Sequence, residues 1–316
     1  MNDTVLACLR EQVAPDMSFS PALQAWQADH LSWRWKGHPI AYWTGGAWQD
    51  DTRPALMLIH GFPTASWDWV DMWAPLSARF RLLAPDMIGF GFSAKPPEYD
   101  YSIRDQADLH AGLCAALGIA ECHVLAHDYG DTVAQELLAR HNGREGGTPR
   151  LQSVVFLNGG LFPETHHATF NQKLLHSPIG FLVSRLMTEK RFRKGFSEVF
   201  GPDTQPDDAA LKDFWALVIA NGGMPAIGHK LIRYIAERRA SRERWVGALQ
   251  AAQIPLRVID GGADPVSGAH MVARYRELVP NPDTVILEGI GHYPQVEAPD
   301  AVLAAFLDFH RTLHTL

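Results

Sequence analysis

The sequence predicts an α/β fold: a mostly parallel, doubly wound sheet interrupted by a helical insertion. Three observations predict it. "ALMLIH" (55–60), "CHVLAH" (122–127) and "LQSVVFLN" (151–158) are continuous apolar runs, as expected of strands buried on both faces. Helical stretches near 66–79, 102–117 and 130–141 alternate with the strand runs. That rhythm stops at "NGGLFPE" and resumes only at "PLRVIDGG" (255–262), with helical patterns alone between about 160 and 250.

The elements follow in order. "LSWRW" and "IAYW" read as paired strands joined through "KGHP", whose glycine and proline suit a turn. "FRLLAPD" (80–86) is a further strand, and "DTVILEG" (283–289) the last one, between helices near 267–279 and 298–314. The expected organisation is an N-terminal extension (1–30), a core from 31–158 and 251–316, and a helical cap from 159–250. "VLACL" near the start reads as a short amphipathic helix docked on the core.

Composition narrows the function. The 316 residues are 47% hydrophobic and 20% charged, ordinary for a soluble globular protein. A net charge of -7 argues against nucleic-acid binding, which needs a basic face. Three cysteines without metal-ligand spacing suit a reduced, cytoplasmic protein. No segment resembles a signal peptide or reaches the ~18 apolar residues of a membrane span.

"HVLAHDYGDTV" (123–133) carries the chemistry. A strand, a tight turn and a helix start place Asp128 at the position of a nucleophile elbow, with small residues two before and two after, Ala126 and Gly130. A carboxylate there can attack an sp³ carbon and form an ester with the enzyme. The bland alternative is that Asp128 only N-caps the helix. Asp264 follows the strand 255–262 and His292 follows 283–289, giving the order nucleophile, acid, base. Asp260, within its strand, is the second choice of acid. Backbone N–H groups of Phe62, after "HG", and Tyr129, after the nucleophile, form the expected oxyanion hole. His60 reads as a packing and hydrogen-bonding residue, and Asp131 as a charge favouring the helix N-terminus.

With "HGFPTASWDW", "DMIGFGFSAKP", "HDYGDTVAQELL", "NGGLFPETH", "RERWVGAL" and "GHYPQVEAP", the chain resembles the α/β-hydrolase superfamily from about residue 31 onward. It is similar to the branch of epoxide hydrolases and haloalkane dehalogenases with an aspartate nucleophile, and within it to mesoderm-specific transcript proteins and their bacterial relatives. Those proteins carry a membrane-associating N-terminal segment that is not read here. The resemblance implies a two-step hydrolysis without metal or organic cofactor, its partners being a small apolar electrophile and water. Asp128 forms the alkyl-enzyme, and His292, oriented by Asp264, activates the water that hydrolyses it.

Leaving-group chemistry separates the substrates. Dehalogenases resemble one another in an Asn after "HG" and a Trp after the nucleophile, where this chain has Phe62 and Tyr129. Trp67, Trp69 and Trp215 could each supply an N–H, though packing is their simpler role. Epoxide hydrolases resemble one another in a pair of cap tyrosines, and the insertion holds only Tyr234. Its spacing from Ile227, Leu231 and Ile235 turns it inward or makes it a core tyrosine. His166 is the candidate second donor, with His167 and His176 as rivals. "RYIAERRASRER" reads as a solvated face of paired charges. The expectation is an epoxide hydrolase, with haloalkane dehalogenase as the alternative. A catalytically idle binding protein on this fold is the alternative of another class.

Overall fold

In the computed structural model, residues 19–48 and 53–313 are described. The expected "VLACL" helix lies outside them. Eight strands form one sheet in the order β1 (Leu31–Trp35), β2 (His38–Gly45), β4 (Arg81–Pro85), β3 (Ala55–Ile59), β5 (Glu121–His127), β6 (Arg150–Leu157), β7 (Leu256–Gly261) and β8 (Thr284–Leu287). β2 runs antiparallel to β1 and β4, and every other neighbouring pair is parallel.

The continuous apolar runs have a plain cause. Alternate side chains of a strand face opposite ways, and both faces of this sheet are covered. Met57, Ile59, Val124, Ala126, Val154 and Phe156 join one core. Leu56, Leu58, Leu125, Val155 and Leu157 join the other, against the helix Val70–Ser77 and the C-terminal helix Pro299–Thr312. Asp128 opens the turn from β5 into Tyr129–Asn142, while the chain leaves β3 beside it at Gly61. β3 is followed in sequence by β4 on one side and faces β5 on the other. The crevice above their carboxyl ends is therefore the switch point where sheets of this kind bind ligands.

Between β6 and β7 the regular elements of the described chain are all helices, from Phe170–Leu175 through Gly180–Arg185, Glu189–Ser197, Asp208–Ile219, Met224–Leu231 and Tyr234–Ala240 to Arg242–Gln250. The segment before β1 is tied to it. Ser20, which caps the helix Pro21–Ala28, donates from its N–H and Oγ to Asp213, at 3.0 and 2.5 Å. Among the described residues, no helix is long and apolar enough to cross a membrane.

Candidate active site

The turn after β5 is held in a costly shape. Asp128 has φ 48° and ψ −103°, a region where a side chain costs on the order of 1–3 kcal/mol. Its side chain makes no capping hydrogen bond to the helix, so the N-cap explanation fails. Instead Asp128 Oδ2 accepts the Phe62 N–H at 3.1 Å, across from the end of β3. Gly130 is required by closeness, because a Cβ there would collide with the Ile59 and His60 carbonyls. His60 hydrogen-bonds within the backbone: Nε2 accepts the Met87 N–H at 3.0 Å, leaving Nδ1 to donate to Gly61 O at 2.9 Å.

The loops after β7 and β8 bring Asp264 and His292 together. His292 Nδ1 donates to Asp264 Oδ2 at 2.7 Å. Asp264 also accepts from the Val266 N–H (2.7 Å), Ser267 N–H (3.1 Å), Ser267 Oγ (2.9 Å) and Asn158 Nδ2 (3.0 Å). Burial alone would raise its pKa, but the His292 charge and these donors hold it at about 2. Burial pulls His292 down, yet Asp264 and then Asp128 raise it to about 9. Asp128 is likewise opposed by burial, and the charges of His292 and Arg238 keep its carboxyl below the usual range. Asp260 is buried in β7, with neither oxygen hydrogen-bonded among the described residues, and burial pushes it well up. Asp264, not Asp260, contacts His292.

Two bonds join these loops. His127 Nε2 donates to the His292 carbonyl at 2.7 Å, and the Tyr293 hydroxyl donates to the Phe62 carbonyl at 3.1 Å. Tyr129 opens its helix, so its amide is one of the first-turn N–H groups without an intrahelical acceptor. Its ring is buried against Phe90 and Tyr234.

The other wall belongs to Tyr234–Ala240. Tyr234 is fully buried, its ring 6.0 Å from Phe62 and 5.1 Å from Tyr129, and its hydroxyl has no partner among the described residues. One turn on lies Arg238, 2% exposed. Its Nε donates to Thr132 Oγ1 at 2.6 Å and its Nη2 to the Asp128 carbonyl at 2.9 Å. Nη2 also stands 3.6 Å from Asp128 Oδ1, and the guanidinium covers the Tyr234 ring at 4.5 Å. This corrects the reading of "RYIAERRASRER" as a solvated face. Arg238 turns inward because it shares a helix face with Tyr234 and finds the charge of Asp128 there. Arg242 does pair outside, with Glu164, while Arg244 reaches the buried Glu136 from the surface.

His166 lies near Arg238, its two ring nitrogens unpartnered among the described residues. Burial, then Arg238, lower it to about 3, so it is a neutral imidazole. His167 instead stacks on His270 at 4.2 Å, and His176 is exposed at the end of Phe170–Leu175. Asp131 is buried beside Asp128, and burial, then the Asp128 charge, push its carboxyl well above the ordinary range. A cavity of ≈ 610 Å³ reaches Phe62, His292 and Tyr293 from a mouth in the insertion.

Arg238, Asn158 and His127 were not singled out from sequence. For Arg238 a signal existed: it falls four residues after Tyr234, on the same helical face.

This fold is that of an α/β hydrolase. The chain belongs to the alpha/beta hydrolase fold family, whose profile matches residues 54–299. It is 40% identical over 310 residues to the mesoderm-specific transcript protein of Mus musculus, covering 93% of this chain and 90% of that one. In structure it is similar to the epoxide hydrolase CorEH (TM-score 0.71, 19% identity, 90% of this chain and 99% of that one). It is also similar to a haloalkane dehalogenase variant from Bradyrhizobium elkanii (TM-score 0.73, 20% identity, 90% of this chain and 97% of that one).

Proposed function

We propose that this hydrolase opens epoxides to diols through an ester on Asp128. The observation that carries the reading is the unequal treatment of the carboxylate oxygens. Oδ2 is held by the Phe62 N–H, whereas Oδ1 faces Arg238 at 3.6 Å, on the side of Tyr234. Oδ1 attacks an epoxide carbon and the C–O bond breaks. The Tyr234 hydroxyl gives its proton to the departing alkoxide, and Arg238, over the same ring, stabilises the phenolate. Burial raises the Tyr234 pKa, and the nearby Asp128 charge adds to that, while Arg238 acts the other way. His166, held as the neutral imidazole, is a poorer acid because losing its single N–H proton would leave an imidazolate.

Neutral His292 then takes a proton from water, and the hydroxide adds to the Asp128 ester carbon. Negative charge develops on Oδ2, where the Phe62 N–H already points and the Tyr129 amide is the second donor. Collapse expels the diol oxygen, which takes the proton from His292. The carboxylic acid left on Asp128 returns its proton to the Tyr234 phenolate, restoring the enzyme. Halide departure has weaker support, because Phe62 and Tyr129 supply no side-chain N–H.

The test exposes wild type and His292→Gln to panels of small epoxides and haloalkanes, with intact mass as readout. The variant should accumulate an adduct of the whole epoxide mass. An adduct lacking a halogen would move the reading to dehalogenation. If the variant forms no adduct and wild type turns over no panel member, the covalent reading fails.

A further inference from the structure

The exposed large hydrophobics of the described residues are concentrated in one short stretch. Phe170 (75% exposed), Ile179, Phe181, Leu182 and Leu186 (63%) all lie within 170–186, and only Ile219 stands elsewhere. They form the first helices of the insertion, Phe170–Leu175 and Gly180–Arg185, with their connections. Scattered single apolar residues need no explanation, but a contiguous set with a charged border marks an interaction surface.

The border is mostly basic, with Glu198, paired with Lys194, the acid that lines the cavity. Residues 170–194 contain Lys173, Arg185, Lys190, Arg191, Arg193 and Lys194 against a single acid, Glu189, in a chain whose net charge is -7. Arg193 is engaged by Glu189 and Asp208. Lys173, Arg185 and Lys190 are exposed, and none has an acidic partner within 4.0 Å among the described residues. Local cationic excess around an apolar centre is complementary to a surface that is anionic at its headgroups and apolar beneath.

The same residues rim the cavity. Phe170, Leu186, Arg191 and Lys194 are exposed and line its mouth, and its inner end reaches Phe62 and His292. We infer that this face of the insertion docks on an anionic lipid bilayer, with the cavity mouth against the membrane so that apolar substrate enters from the lipid. Docking itself stands apart from the epoxide reading; only the entry of substrate rests on it.

The test is sedimentation of the full chain with phosphatidylcholine vesicles, with and without phosphatidylglycerol. Binding should need phosphatidylglycerol and weaken as salt rises. Lys173→Gln with Arg185→Gln should lower partitioning by roughly thirty-fold, two charges near an anionic surface being removed. Phe181→Ser with Leu182→Ser should lower it as well, while turnover of a water-soluble substrate stays unchanged, since none of the four lines the cavity. Vesicle binding without turnover keeps the docking and removes the epoxide reading. No binding to the anionic vesicles, or binding indifferent to both variants, overturns the docking. So does a dimer by sedimentation velocity that Phe181→Ser with Leu182→Ser dissolves in a protein that ignores vesicles, because the patch then faces a second copy.

Discussion

The two walls of the site are built by different rules. On the sheet side the candidate acid is fully engaged, Asp264 having donors from Val266, Ser267, Asn158 and His292, although Asp260 in β7 has none among the described residues. On the insertion side the Tyr234 hydroxyl, both His166 nitrogens and Arg238 Nη1 have no hydrogen-bond partner among the described residues. Buried polar groups are ordinarily satisfied, and those that are not call for a reason. The contrast teaches that Asp264 and His292 are held in place by bonds from the sheet side, while the insertion side brings to Asp128 polar groups that the protein itself leaves unpaired.

Substitutions can break or sharpen that contrast. Asp128→Asn removes the attacking carboxylate and should cut turnover by about 10⁴-fold or more, with no adduct by mass; residual turnover near wild type would sink the nucleophile assignment. Tyr234→Phe should slow ester formation from epoxides by roughly 10²–10⁴-fold. Hydrolysis of the preformed ester should hardly change, and stopped-flow separation of the two steps checks it. Equal loss in both steps would mean that Tyr234 is structural.

Arg238→Met joins the two walls in one test. It leaves the buried Asp128 charge without its guanidinium and should lower unfolding free energy by about 3 kcal/mol, read by denaturant titration. The pH below which ester formation fails should also rise, because Arg238 helps hold Asp128 ionised. A variant as stable as wild type with an unmoved profile would make Arg238 a bystander.

A subtler effect concerns His292, raised to about 9 partly by the Asp128 charge. Ester formation removes that charge, so His292 in the alkyl-enzyme should titrate below 9. Only neutral imidazole can take the water's proton, so single-turnover ester hydrolysis should climb with pH to a plateau through that lower pKa. A rate that falls with pH over this range contradicts His292 as base. The smallest effect belongs far from both walls. Glu121→Gln, breaking its exposed pair with Arg150, should change stability by no more than about 1 kcal/mol in thermal unfolding.

Much of the frame was legible because its signals are local. Strands covered on both faces must be apolar at every position, and a tight turn needs small neighbours, so β3, β5 and the turn at Asp128 announce themselves. Asp264 and His292 could be found because the fold orders its loops along the chain. Arg238 shares a helical face with Tyr234, but that spacing does not reveal its counter-charge, which lies 110 residues away in sequence. Asn158 was hidden for the same reason: its bond to Asp264 spans 106 residues. A long-range polar bond leaves no periodicity to read.

The Phe62 peptide is gripped at both ends, by Asp128 at its nitrogen and Tyr293 at its oxygen, and His127 bonds the next loop at His292. These joints couple the loops after β3, β5 and β8 into one rigid bracket. The insertion is itself tied to this bracket, where the Val199 carbonyl accepts the His292 N–H at 2.8 Å and Arg238 bonds Asp128, so admission of substrate and escape of product fall to its outer helices along the cavity, Phe170–Leu175 and Gly180–Arg185. If product escape limits turnover, its rate should decrease with solvent viscosity while ester formation does not.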